Sequence, residues 1–129
     1  MTTRKYSSIS QQTTLSSALN ASATTMVVGS ASALLSGVTL ANTSPLETFT
    51  VVIDPDTAFE EIVDVVYPSS TGSTTLTIVR GIDSSTPISH SAGAAVRHMG
   101  IGRDFRETNS HIENVTSAHG LTIANVVST

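Results

Sequence analysis

Hydrophobic and polar positions alternate most clearly between Glu60 and Met99. Three runs rich in β-branched residues, 60–67, 74–81 and 94–99, are separated by Gly, Pro and Ser clusters. That pattern predicts an antiparallel meander. The six residues 68–73 are a polar connection of hairpin length between the first two runs,. Upstream, Phe49, Val51 and Ile53 share one face of a strand over residues 48–53, and Asp54-Pro55-Asp56-Thr57 ends it in a tight turn,. In the next strand Glu61, Val63, Val65 and Tyr67 fall on one face, with Glu60, Ile62, Asp64 and Val66 on the other. Neither face is purely apolar, so bulges are expected to help set the register. Leu76, Ile78 and Arg80 face one way in the following strand, opposite Thr75, Thr77 and Val79. The thirteen residues 81–93 make a loop longer than usual. It is expected to be functional or packed on a neighbour.

The two ends of the chain read differently. Residues 1–13 are polar and carry Arg4, Lys5 and Tyr6. They are expected to form an arm that is disordered alone and ordered by a partner. Residues 13–18 and 24–28 read as two short strands. Residues 32–37 read as one helical turn stopped by Gly37, or as a loop,. After Gly100 and Gly102, Asp104 is the expected helix N-cap, with Glu107 completing a capping box, and the helix is expected to run from about 105 to 118,. Phe105, Ile112 and His119 are seven apart, as are Thr108 and Val115. This thin seam of period 3.5 fits an oligomer interface, or a single helix laid on its own sheet. Residues 121–127 read as an apolar strand offered to a neighbour. The fold expected is mainly β, a small antiparallel barrel or sandwich-like meander. It has an arm (1–13), a β-rich body (14–103) and a short C-terminal helix with a tail (104–129).

Composition narrows the function. Ser and Thr number 20 each, while charged residues are only 12% of the chain, about half the usual fraction of roughly 25%. Such a chain is either a β-domain with hydroxyl-rich loops or one whose surface is largely covered by neighbours. No cysteine is present, which removes disulfide and thiolate chemistry. Residues 1–46 hold Arg4 and Lys5 and no acid, and all ten acids lie between Glu47 and Glu113. No basic patch with interleaved aromatics points to nucleic acid, and no apolar run of membrane-spanning length occurs.

Candidate chemistry is sparse. His90 and His98 lack a nearby third ligand, so they read as structural histidines and not as a metal pair,. The carboxylates of Asp54, Asp56, Glu60 and Glu61 lack the spacing of a calcium loop,. A hydrolase or glycan-binding module using these acids is the reading from another class. No nucleophile elbow or phosphate-binding loop occurs, so neither catalytic residues nor a cofactor is expected. Arg80, Gly81, Asp83 and Gly93 read as structural turn residues. Arg80 is expected to reach Glu60 or Asp64, and Gly81 to take a positive φ,.

Four segments together carry a resemblance: Asp-Pro-Asp-Thr-Ala-Phe-Glu-Glu-Ile-Val (54–63), Leu-Thr-Ile-Val-Arg-Gly-Ile-Asp (76–83), His-Ser-Ala-Gly-Ala-Ala-Val-Arg-His (90–98) and Arg-Asp-Phe (103–105). In this order they resemble a module of virion proteins of tailed bacteriophages, whose strands read DPDTxxEE, TLTVTRGxDGT and HSAGAxVRH, followed by an ARDF helix start. The resemblance covers about residues 6–120. It departs at Asp83-Ser84-Ser85, where the family often has Asp-Gly-Thr. Relatives often continue after the His-Gly into fibre or tail sequence, whereas nine residues remain here. The resemblance implies a virion protein without enzymatic activity. The favoured role is a capsid decoration (cement) protein, a homotrimer on the major capsid protein. The alternative is a small tail, fibre-base or connector-associated protein. It implies capsid contact through Arg4, Lys5 and Tyr6, and a trimer interface at Phe105, Thr108, Ile112, Val115 and His119.

Overall fold

A computed structural model describes residues 2–41, 46–67 and 74–113, giving backbone alone for Thr2 and for residues 111–113. The chain divides into two compact units, 1–99 and 100–129.

The first unit is one seven-stranded sheet: β1 (Thr2–Lys5), β2 (Thr13–Thr14), β3 (Thr25–Val27), β4 (Leu46–Ile53), β5 (Glu61–Val66), β6 (Thr75–Val79) and β7 (Ala95–His98), with a short helix α1 (Ala31–Leu35) between β3 and β4. The order across the sheet is β2-β7-β4-β5-β6-β3, all antiparallel. The end strands then meet. Leu15 bridges Val28, Ser16 N–H donates to Val27 O, and Gly29 N–H donates to Thr14 O. The sheet therefore curls back on itself into a small barrel-like fold.

The interior follows from the alternation. Phe49, Val51 and Ile53 of β4, Val63 and Val65 of β5, and Leu76 and Ile78 of β6 are all buried in one cluster with Met26, Val28 and Val96. Leu34 and Leu35 of α1 join the same cluster. Ser30 caps that helix, its Oγ accepting from Ala33 N–H at 3.1 Å, and Ser36 ends it in a left-handed conformation. A helix does form near the expected place, one residue earlier than read. Each fully buried Val, Leu or Phe side chain contributes about 1.5–3 kcal/mol. The other face of β4 is also buried at Thr48, Thr50 and Val52. There Thr50 donates to its cross-strand partner Asp64 at 2.8 Å. A hydroxyl–carboxylate bond of this kind makes a buried acid tolerable on a strand.

The N-terminal segment differs from the expected free arm. Residues 2–5 form β1, parallel to Leu46–Phe49 and on the edge of β4 that also receives β7. Lys5 Nζ meets Glu47 Oε2 at 2.9 Å. Beyond it Ser7 N–H donates to His98 Nε2, Ser10 Oγ to Leu34 O and Gln11 N–H to Ala33 O. The polar residues that suggested disorder supply the hydrogen bonds that fasten the segment to the barrel and to α1.

In the second unit, helix α2 spans Gly102–Glu113. Asp104 is not its N-cap. Its carboxylate reaches back to accept from Ile101 N–H at 3.0 Å, the return bond of a capping box, so the helix begins three residues earlier than expected,. The expected turns at 68–73 and 42–45, the side chain of Ile112, residues Val115 and His119, and the segment 121–127 lie outside the described residues.

Candidate functional site

One end of the barrel carries a buried charged cluster. The Asp54–Glu60 turn leaves β4 there, Glu61 opens β5, Arg80 follows β6, and the loop 81–93 returns to β7. Period-two alternation places Glu61 on the same inward face as Val63 and Val65. Since Val65 pairs with Ile78, Arg80 shares that face. The expectation that Arg80 reaches Glu60 or Asp64 is therefore corrected: both acids point to the other face. Arg80 pairs with Glu61, Nε to Oε2 at 2.7 Å and Nη2 to Oε1 at 2.8 Å.

The remaining guanidinium donors are also spent. Nη1 donates to Asn20 O at 2.7 Å and Ala23 O at 3.0 Å, and Nη2 donates to Ile88 O at 2.7 Å. A guanidinium has five N–H donors, and each has an acceptor here. Glu61 accepts in addition from Gly81 N–H, Ile88 N–H and His90 Nε2, the last at 2.9 Å. His90 is buried, and its Nδ1 lies 2.8 Å from Asp54 Oδ2. Burial would raise the Glu61 carboxyl. Hydrogen bonds from Arg80, His90 and the Ile88 amide, with the Arg80 charge, outweigh it and hold the group at about 2 instead of its ordinary 4.5. A carboxylate this acidic, with its lone pairs occupied, is a weak base. What the arrangement does is cross-link the β2–β3 connection, β5, the Asp54 turn and the long loop. That loop is thus packed on its own chain through Ile88 and His90.

The turn residues fall where expected. Gly81 has φ +63° and Gly93 has φ +90°. Asp83 also lies in the left-handed region, at φ 54°, inside a short 3₁₀ turn (Ile82–Ser84). Ser85 Oγ closes this turn against β5, donating to Ile62 O and accepting from Ile62 N–H.

At the other end, His98 stacks on Phe49 with ring centroids 3.9 Å apart, and Tyr6 sits 6.1 Å from it. His98 Nδ1 donates to Thr50 O at 2.7 Å while Nε2 accepts from Ser7 N–H, which fixes the tautomer,. Glu47 is held below its ordinary carboxylate range by Lys5 and the Ala41 amide. On α2, Phe105 is 72% exposed and Thr108 is exposed, its hydroxyl turned back to Asp104 O.

Sequence reasoning missed the joint role of Glu61, His90 and Asp54. The spacing signalled only that Glu61 and Arg80 fall on inward faces of adjacent strands; it said nothing of His90, which reaches Glu61 from the loop. It also passed over Phe59, which is 62% exposed beside Asp54. Among the described residues no group of three or more His, Asp or Glu side chains is placed to hold a metal, and no helix is long and apolar enough to cross a membrane. Compared with known proteins, the chain matches no family model and no curated protein.

Proposed function

We propose that the protein is a non-enzymatic structural component of a tailed-bacteriophage virion, a capsid decoration protein that binds the major capsid protein lattice as a homotrimer. The observation that carries this reading is the character of the surface. Tyr6, Ile9 and Leu46 are large apolar side chains at least half exposed, at 55%, 73% and 50%, on a chain of only 12% charged residues. Covering such side chains contributes about 25 cal/mol per Å² of apolar area. The charges beside them, Lys5 and Glu47, are already paired with each other at 2.9 Å. Many copies on one lattice gain avidity, so each contact can be small. The motif series at 54–63, 76–83, 90–98 and 103–105 supports the same assignment.

In this reading the segment from Arg4 through Ile9 faces the capsid protein, and the seam of α2 faces the other two subunits. The test is co-sedimentation of purified protein with undecorated capsids, with copies per particle measured by gel densitometry. Decoration requires on the order of hundreds of copies. A few copies confined to the tail or connector would assign the protein to the alternative location, and failure to bind any virion part would remove the proposal. Ile9→Asp, at an exposed position, is expected to weaken capsid binding without lowering the melting temperature.

A further inference from the structure

A shallow depression opens on the solvent side of the charged cluster, lined by Asp54, Phe59, Ser89, His90, Ser91 and Ala94. We infer that it binds a neutral sugar ring.

Its polar groups differ from those beneath. In the cluster each donor and acceptor of Arg80 and Glu61 is used. In the depression they are available. Asp54 is 23% exposed at its side chain, and Oδ2 is fixed by His90 Nδ1 at 2.8 Å. Among the described residues, Oδ1 of Asp54 and the hydroxyls of Ser89 and Ser91 take part in no hydrogen bond. The carboxylate is therefore oriented by a buried partner while one oxygen faces outward.

The backbone that carries the aromatic wall is also fixed in place. Thr57 Oγ1 donates to Asp54 O at 2.7 Å and accepts from Phe59 N–H at 3.1 Å, and Glu60 N–H donates to Thr57 O. Glu60 Oε2 in turn accepts from Asp56 N–H. These bonds fix the backbone from which the exposed Phe59 lines the depression beside the carboxylate, and preorganisation lowers the entropy cost of binding,.

A pyranose matches this set. One of its faces is lined by C–H groups and lies on an aromatic ring, while its equatorial hydroxyls donate to a carboxylate oxygen and exchange bonds with serine hydroxyls. A lysine or arginine side chain matches less well. It only donates, leaving the serine O–H donors unanswered, and the Asp54 charge is already engaged by His90. Of the acids named from the sequence for a glycan site, Asp54, Asp56, Glu60 and Glu61, Glu61 is fully buried and Glu60 is used in the turn, while Asp54 lines the depression and is the recognising acid.

The experiment is a titration of the full-length ¹⁵N-labelled chain with methyl glycosides of glucose, galactose and N-acetylglucosamine, followed by amide chemical shifts. At least one glycoside is expected to give saturable shifts confined to Asp54, Phe59, Ser89, Ser91 and Ala94, with a dissociation constant on the order of millimolar, as suits a shallow site. Phe59→Ala, at an exposed position, is expected to weaken it on the order of tenfold. Ser91→Ala serves as an independent check that leaves the ring in place. No shift with any glycoside, or unchanged affinity in both variants, overturns the inference. Shifts produced only by Nα-acetyl-arginine amide, and fading as salt is added, overturn it as well and make the depression a seat for a basic side chain.

Discussion

Glu61 brings a full negative charge into the barrel, and three neighbours offset the cost. A buried ion pair is no stronger than a well-packed apolar pair, but breaking one side of it leaves an uncompensated charge. Glu61→Gln is therefore expected to destabilise by about 3–5 kcal/mol, measured by urea unfolding. Arg80→Met is expected to cost at least as much. It strands Glu61 and also removes the donor from three backbone carbonyls, those of Asn20, Ala23 and Ile88. If both variants unfold at the wild-type urea midpoint, the cluster contributes nothing and the geometry has been misread. The same residue sets an acid limit. The folded-state value of about 2 lies below the ordinary 4.5, so between these the unfolded chain binds more protons and stability rises with pH. The contribution, on the order of 3 kcal/mol, is complete above about pH 4.5 and is lost as pH falls towards 2. Melting temperatures of wild type should fall steeply across that window. Glu61→Gln should fall less, because it has no such carboxyl to protonate.

At the scale of elements, the strands were legible because their alternation is local. Phe49, Val51, Ile53, Val63, Val65, Leu76 and Ile78 were placed on inward faces by spacing alone, and all are buried. The cluster was only half legible. Spacing put Glu61 and Arg80 on inward faces, but which acid met Arg80 depended on a register that only pairing sets. His90 was not legible at all, since its ring reaches Glu61 from 29 positions away along a loop. The N-terminal segment was misread because polarity reports low burial and not the lack of backbone partners, and β1 gains its order from β4. The loop 81–93 shows how two glycines with similar φ carry different burdens. At Gly81 a Cβ would lie 3.1 Å from Pro87 Cγ and from Ser85 O, whereas at Gly93 nothing lies within 4 Å. Gly93→Ala therefore meets only the left-handed penalty of about 1–2 kcal/mol. Gly81→Val adds a steric clash and a β-branched side chain at positive φ, so its melting temperature should drop further than that of Gly93→Ala. Equal drops would mean that the contacts with Pro87 and Ser85 relax freely.

At the scale of the whole molecule, the chain carries a barrel with its own buried cluster and a separate C-terminal helix. Among the described residues, every member of the hydrophobic cluster lies between Leu15 and Val96. Phe105 is largely exposed in the single chain, and Ile112 follows it at heptad spacing. Of the two readings the sequence leaves open, a helix laid on its own sheet or one turned to other subunits, our proposal takes the second. Three copies of Ile112 would then meet near one axis, where an acid placed in each would be desolvated against two like charges. Ile112→Asp is expected to convert the trimer to a monomer by multi-angle light scattering. The far-UV spectrum of the barrel should stay unchanged, because its buried cluster is drawn from residues 15–96. A trimer that survives the substitution would move the interface off the seam. A wild-type chain that is monomeric at high micromolar concentration would show that Phe105 and Ile112 serve some contact other than self-association, and the homotrimer would have to be abandoned.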